Sequence, residues 1–253
     1  VHGMFVSRDQ YIVSYMNQLD TMANGMANGA ITVTLPAGSV IPNGMTLNNV
    51  QYNGTVDQRT LASDITVTVN GLNGLHQLGY TMSEPARSAS AFFVSGNGGP
   101  ITAANIKVHA GILADASNIA SSMRTTSDGT TESVVKGNKD LAMLLSQFNE
   151  TKIDFSSVTG GAITLNGTIN DFYQSIVGQL GVQAEEAIRQ TDNSKLVVDQ
   201  VDARRQSVSG VSLDEEMTNM IKFQHAYNAA ARMMTTVDEL LDRIINGTGV
   251  VGR

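Results

Sequence analysis

"VSLDEEMTNMIKFQHAYNAAARMM", Val211 to Met234, opens a run without proline or glycine that lasts until Gly247. Ser212 stands three residues before Glu215, the spacing of a capping box, and Asp214, Glu215 and Glu216 put negative charge where the helix dipole favours it. Behind that start, Leu213, Met217, Met220, Phe223/Gln224, Tyr227, Ala230/Ala231, Met234, Val237, Leu241 and Ile244/Ile245 recur at three-four spacing. The stripe extends over about 34 residues, roughly 50 Å at 1.5 Å per residue. The pattern predicts one long helix with a coiled-coil seam. Toward its far end Asp238, Glu239 and Asp242 lie near the negative pole, and Asp238 and Asp242 form a like-charge pair four apart that Arg243 offsets only in part. A helix so built needs support from outside itself.

The stretch before it carries a second stripe. Thr168 is read as a helix cap, followed by Ile169, Phe172/Tyr173, Ile176/Val177, Leu180, Ala184, Ala187/Ile188, Thr191, Val197/Val198 and Val201, with Gly178 and Gly181 as weak points costing about 1 kcal/mol each against Ala. "QSVSGVS" reverses the chain, so this helix is expected to cover the first half of the last one as an antiparallel neighbour. The remaining sides imply a third helix or another subunit. Residues after about Ser209 are therefore expected to be less protected than the helices before them.

At the other end, Phe5, Arg8 by its stem, Ile12, Met16, Leu19, Met22/Ala23 and Met26 predict an amphipathic helix from Met4 to Ala27, weakened at its end by Gly25 and Gly29. Composition then changes. "AITVTL" and "SDITVTVNG" alternate β-branched and polar residues between Pro-Ala-Gly, Pro-Asn-Gly and Tyr-Asn-Gly turn signals. "LNGLHQLGYTM" reads as a short helical return, and two further strands flank the turn from Gly96 to Pro100. Gly111 to Met123 and Asn138 to Phe148 read as short helices joined by the polar loop "RTTSDGTTES". The expected fold class is α+β and multidomain: a long-helix bundle or coiled-coil domain made from both chain ends, with a β-rich inserted domain. Residues 1–28 form the first part of the helical domain, 29–109 the insert with its helical return at 71–80, 110–206 the second helical part, and 207–253 the coiled-coil helix.

A chain of 253 residues buries roughly 70–75% of its unfolded surface. With 5% aromatics, no tryptophan and more Met (12) than Phe (7), the core is expected to be aliphatic. A net charge of -7, without a block of Lys or Arg, repels a phosphate backbone and argues against nucleic acid as a partner. The absence of cysteine removes disulfides, thiol nucleophiles and Cys-ligated metals. No apolar run reaches the length of a membrane span, so no membrane insertion is expected. The opening "VHGMFVSRDQ" has neither an initiator Met nor a signal-peptide core and reads as a segment of a longer protein.

Little in the sequence points to catalysis. His2, His76, His109 and His225 are scattered, with no pair at metal-ligand spacing. His76 reads as a hydrogen-bonded residue at a helix end and His225 as a neighbour of the stripe. The pairs Glu185/Glu186, Asp199/Asp202 and Glu215/Glu216 read as solvated helix faces. "SGNGG" at Ser95–Gly99 lacks phosphate-loop spacing and reads as a hairpin turn. Asn-x-Thr sequons occur at Asn53, Asn149, Asn166 and Asn246; three are Asn-Gly-Thr and are explained by turn chemistry. Asp202, Arg204 and Arg205 read as solvated ion pairing or, more sharply, as an intersubunit bridge. Met217, Met220, Met233 and Met234 are either core fillers or an adaptable contact surface. No enzyme, cofactor or metal is expected.

From Val211 through Glu239 the sequence carries V-x-L-x-x-E-M, then Q-x-A-Y-x-A-x-x-R, then T-x-D-E. This resembles the C-terminal region of bacterial flagellar axial proteins, the rod, hook and hook-associated family. "YMNQLDTMANGMANG", "NGLHQLGYTM", "GNKDLAMLLS" and "FYQSIVGQLGVQAEEA" are similar to hook-associated members that form the junction between hook and filament. The segment from Gly29 to Gly71 has no place in the shared pattern.

The resemblance implies a secreted, non-enzymatic structural subunit of the extracellular flagellum. It implies as partners other copies of the chain, hook protein, a filament-side junction protein or flagellin, and a cytoplasmic export chaperone at the C-terminal helix. The implied assembly and chaperone interface is Leu213, Met217, Met220, Phe223, Gln224, Tyr227, Ala231, Met234, Val237, Leu241 and Ile244, closed by an N-terminal helix and by neighbouring subunits. Apart from the resemblance, an extracellular adhesin or binding module on a helical stalk fits the same residues.

Overall fold

The computed structural model describes residues 2–160 and 165–247. The chain divides into two units, residues 1–182 and 183–253. The architecture is mixed α+β, with an N-terminal helix, a β-rich region and long C-terminal helices.

In the first unit a helical run of residues 2–28 consists of His2–Val6, a π-helical stretch Ser7–Ile12, and α1, Val13–Asn28. Its beginning is open to solvent, and it becomes buried only at Ala23, Gly25 and Ala27. β1 (Ala30–Leu35) follows and pairs antiparallel with β2 (Ile65–Asn70), in register from Ala30↔Asn70 to Leu35↔Ile65. The alternation read from the sequence is realised residue by residue. Ile31, Val33, Leu35, Val67 and Val69 point into the core, while Thr32, Thr34, Thr66 and Thr68 face out. β3 (Ile153–Asp154) pairs with the other edge of β1 and β4 (Asn166–Gly167) with β3, giving the order β4-β3-β1-β2.

α2 (Gly71–Gln77) begins directly where β2 ends. Gly71 makes that corner: its φ is +49°, its N–H donates to the Gly29 carbonyl at 2.7 Å, and a Cβ there would lie 2.8 Å from the Ala27 backbone. Smaller antiparallel pairs join Thr46–Leu47 to Val50–Gln51, Phe93–Ser95 to Ile106–Val108 and Thr125–Ser127 to Glu132–Val134. A three-stranded sheet places Tyr80–Thr81 between Arg87–Ser88 and Ala120–Ser122. The segment Gly111 to Met123, expected as a helix, is α-helical only through Ala114, makes a 3₁₀ turn at Ala116–Asn118 and ends as the strand Ala120–Ser122. The expected polar loop after it is a β-hairpin, Thr125–Ser127 with Glu132–Val134, whose tip from Thr126 to Thr131 is exposed while Thr125 is buried. α3 (Asp140–Gln147) agrees with the expected helix and inserts Leu141 beneath Gly79.

The core contains Ile31, Leu35, Ile41, Val67, Leu75, Leu78, Met123, Leu141 and Ile153, an aliphatic set as the composition implied. Its largest member is nonetheless aromatic: the fully buried Phe155 stacks on Phe172 at 4.3 Å between ring centroids. Gly25 exists for this ring. A Cβ on Gly25 would fall 2.5 Å from Phe155 Cε1, and one on Gly29 would collide with Ile153 Cγ2. Locally, Gly25→Ala gains about 1 kcal/mol of helix propensity. Overpacking a ring with nowhere to go costs about 1–3 kcal/mol. The variant is therefore expected to be less stable, read as a lower denaturant midpoint; a higher midpoint would show that the close approach is immaterial.

α4 (Ile169–Ser209) is capped as expected by Thr168, with a partner the sequence reading missed. The Asp171 N–H donates to Thr168 Oγ1 at 3.1 Å, and the Thr168 N–H donates to Asp171 Oδ2 at 3.0 Å. Hydrogen bonds from Thr168 hold the Asp171 carboxyl below its ordinary pKa. Phe172 and Ile176 root these first turns in the core, and beyond them α4 has no buried residue.

The second unit comprises residues 183–209 of α4, the connection Gly210–Ser212, and α5 (Leu213–Gly247). The Glu215 N–H donates to Ser212 Oγ at 3.4 Å, the expected cap. The expected covering of α5 by α4 is not found, since every described residue from 184 to 247 is exposed. The reason lies in α4, whose stripe fades through Thr191, Asn193, Ser194 and Lys195 just where an antiparallel neighbour would need a continuous apolar edge. The expected contrast in protection moves accordingly. Amide exchange should slow through Ile176 and be fast along 184–209 as well as 213–247. Protection of 184–209 equal to that of β1 would contradict this.

Candidate assembly surface

Every seventh residue of α5 from Leu213, namely Met220, Tyr227, Met234 and Leu241, lies on one line. Phe223, Ala230, Val237 and Ile244 flank it on one side, and Met217, Gln224, Ala231 and Ile245 on the other. All eleven residues of the expected interface fall on this arc, and all are exposed; Tyr227 retains 76% of its accessible surface and Leu213 81%. Asp238 interrupts the second flank between Ala231 and Ile245, whereas the first is apolar from Phe223 onward. The continuous seam is thus Met220, Phe223, Tyr227, Ala230, Met234, Val237, Leu241 and Ile244, a strict seven-residue repeat that favours a left-handed supercoil. Ala229, Ala230 and Ala231 provide a low-profile stretch at mid-helix where a partner backbone can come close. Met233 and Leu240, also exposed, widen the arc distally.

Two other helical faces in the first unit are open. Met4, Phe5, Tyr11, Ile12, Met16 and Leu19 project from the N-terminal run, and Tyr173, Val177 and Leu180 from the start of α4. Gln18 Nε2 donates to Gln179 Oε1 at 3.2 Å, so these faces adjoin.

The chemistry-bearing residues are structural in their surroundings. Arg59 is buried, with Nη2 2.6 Å from Glu132 Oε2 and Nη1 donating to the Ile41 carbonyl at 2.9 Å and the Tyr80 hydroxyl at 2.7 Å. Thr125 donates to the other Glu132 oxygen at 2.6 Å. Burial pushes the Tyr80 phenol up to about 12, partly opposed by the Arg59 charge, so it stays protonated and accepts from Arg59. No local pattern announces this cluster, in which the Arg59–Glu132 pair spans 73 positions. Arg124 reaches Asp140 at 2.9 Å. Asp140 is held below its ordinary range first by the Asn138 amide and further by Arg124.

His76 is buried and hydrogen-bonded as expected, and His109 caps Ala110–Ala114 by accepting from the Gly111 N–H. His225 is exposed on α5, and the side chain of His2 lies outside the described residues. The three carboxylate pairs are exposed, and Asp202 meets Arg205 at 3.6 Å in the open. The turn expected at Ser95–Gly99 is the first part of a longer hairpin loop, 96–105, with the Gly99 N–H donating to Asn97 Oδ1. Of the three Asn-Gly-Thr sequons only Asn53 precedes a turn glycine of positive φ; Asn166 lies in β4 and Asn246 at the end of α5. Among the described residues no cluster of three His, Asp or Glu is placed to hold a metal, and no helix is long and apolar enough to cross a membrane.

Residues 204–247, which include all of α5, match the family model described as flagellar basal body rod FlgEFG protein C-terminal. Among curated proteins, the chain is 54% identical over 108 residues to flagellar hook-associated protein 1 of Bacillus subtilis, covering 42% of this chain and 21% of that protein. It is 28% identical over 196 residues to flagellar hook-associated protein 1 of Salmonella typhimurium, covering 78% of this chain and 32% of that protein. A third relative of the same name, from Escherichia coli, is 35% identical over 91 residues, 36% of this chain and 16% of its own. The chain thus spans between about a sixth and a third of the length of these relatives. The resemblance read from Val211–Glu239 is borne out by homologues of that name, which support a structural role associated with the flagellum and do not favour the adhesin reading.

Proposed function

We propose that this chain is part of a secreted subunit that joins hook to filament in the extracellular flagellum, and that the seam of α5 is its assembly surface. The observation that carries this reading is the coincidence of two facts. The stretch matched by the rod-family model is also the stretch whose seven-residue apolar repeat lies open along its whole length. Exposed Leu, Met, Phe and Tyr at such spacing are stable in water only as a contact surface awaiting its partner. The partners proposed are other copies of the chain, hook protein, a filament-side junction protein or flagellin, and before export a cytoplasmic chaperone holding the same helix. The helical domain would be completed by an N-terminal helix of the full-length protein. Residues 1–28, 110–206 and 207–253 are proposed as its parts, with 29–109 as the insert. Full-length protein mixed with purified hook and filament subunits is expected to be incorporated between them. Continued separation of all three, or binding along the filament sides, would reject the reading.

A further inference from the structure

Asn-Gly occurs nine times in the chain. The pair is chemically fragile, because a glycine nitrogen, free of side-chain crowding, can reach the preceding amide carbon and close a cyclic imide on it. Eight of the nine are restrained by the fold. Asn24-Gly25, Asn73-Gly74 and Asn246-Gly247 lie within helices, and Asn166-Gly167 forms β4. In four more the glycine N–H is already engaged. Gly29 donates to the Gly25 carbonyl at 2.8 Å, Gly44 to the Tyr52 carbonyl at 2.8 Å, and Gly71 to the Gly29 carbonyl at 2.7 Å. Gly54 donates to Asn43 Oδ1 at 3.1 Å. Each of these nitrogens must give up its bond before it can attack.

Asn97-Gly98 differs. It lies exposed in the loop that joins Phe93–Ser95 to Ile106–Val108, and the space beside Gly98 is open. Among the described residues, neither the Gly98 N–H nor Asn97 Nδ2 has a hydrogen-bond partner. The side-chain oxygen is in the opposite situation. Three donors converge on Asn97 Oδ1: Ser95 Oγ at 2.6 Å, Asn105 Nδ2 at 3.0 Å and the Gly99 N–H at 3.2 Å. The Gly99 bond fixes which amide atom is oxygen, since a backbone N–H only donates. It also closes an Asx turn, which folds the Asn97 side chain over the Gly98 peptide. Asn105 is set in its turn, accepting from the Thr102 N–H at 2.7 Å and donating to the Pro100 carbonyl at 2.8 Å.

We propose that Asn97 is a site of spontaneous deamidation, favoured by the fold over the other eight Asn-Gly pairs. Hydroxide takes the Gly98 amide proton, and the freed nitrogen bonds to Asn97 Cγ. The three donors receive the charge that gathers on Oδ1. The bond from Cγ to Nδ2 then breaks, and Nδ2 leaves as ammonia by taking a proton from water, which returns the hydroxide. Water opens the resulting imide at either carbonyl, to aspartate or to isoaspartate. Aspartate keeps the same three donors, now bonded to a charged oxygen. Isoaspartate carries the main chain through the former side chain, so the Asx turn is lost and the loop 96–105 loosens. Either way the hairpin tip gains a negative charge with age. Because the proposal concerns this loop alone, it does not depend on the assembly role.

Incubation of the folded chain in mildly alkaline buffer, followed by peptide mapping with mass spectrometry, tests this. Asn97 is expected to convert to acid ahead of every other Asn-Gly pair by roughly fivefold or more, the weight of one ordinary hydrogen bond. The same incubation in guanidinium chloride should bring all nine to similar rates, because each is then an unrestrained Asn-Gly. Ser95→Ala removes the shortest of the three bonds to Oδ1 and is expected to slow conversion at Asn97 by roughly fivefold. Another pair that converts as fast as Asn97 in the folded chain would overturn the proposal. So would an Asn97 lead that persists in denaturant, which would assign the effect to sequence and not to fold. Unchanged or faster conversion in Ser95→Ala would show that the three donors restrain the amide instead of activating it, and would equally refute the site.

Discussion

Phe155→Ala is expected to lower the stability of the first unit by about 3–5 kcal/mol, the usual cost of emptying a large aromatic site. The ring is fully buried and anchors several elements. It follows β3 directly, its backbone N–H donates to the Leu165 carbonyl at 3.2 Å, its edge occupies the space left by Gly25, and its face stacks on Phe172. The stack contributes about 0.5–1.5 kcal/mol of this beyond simple burial. Its loss should also free the first turns of α4, which Phe172 and Ile176 attach to the core. Against a typical domain stability of about 5–15 kcal/mol, the variant should sit near the edge of folding. Denaturant titration measures the change, with Leu113→Ala as a control at an exposed residue expected to stay within about 0.5 kcal/mol. A loss below about 1 kcal/mol for Phe155→Ala would mean that the core does not converge on this ring.

Gly25 shows why parts of this fold were closed to sequence reasoning. By local propensity it weakens a helix end, and its actual role is set by a ring 130 positions away. β3 and β4 are equally non-local, being two residues each and existing because Ile153 meets Ile31 and Gly167 meets Ile153. The strands at 120–134 carry too few β-branched apolar residues to announce themselves, and Arg59 gives no local hint of Glu132. What could be read was what repeats along the chain: the alternation of β1 and β2, the glycine-led return into α2, and the caps at Thr168 and Ser212. The candidate surface belongs to the readable kind, because a seven-residue period on one helix defines a face without any tertiary information. The identity of whatever covers that face is a non-local matter. Hence the sequence reading misplaced the cover in α4, where the apolar stripe breaks at Thr191–Lys195.

Tyr227→Asp and Met220→Asp should each abolish assembly and leave the first unit folded. Both residues lie on the central line of α5 and are exposed in the isolated chain, so a carboxylate at either costs little there. Within a closed seam the same carboxylate is buried without a partner, at a cost of about 3–5 kcal/mol. At about 1.4 kcal/mol per factor of ten, association should weaken by roughly 10²- to 10³-fold or more. Helix propensity cannot account for such a loss, since Tyr and Asp rank close together. His225→Asp, which the helix places nearly opposite the central line and not beside the stripe as expected, controls for added charge and should assemble normally. Motility and filament attachment are the cellular readouts, and chaperone capture of α5 is the biochemical one, with circular dichroism checking that the fold persists. If both central-line variants swim and capture chaperone like the parent, the seam is not the assembly surface. If His225→Asp fails alongside them, the effect belongs to the helix's charge and not to its apolar face.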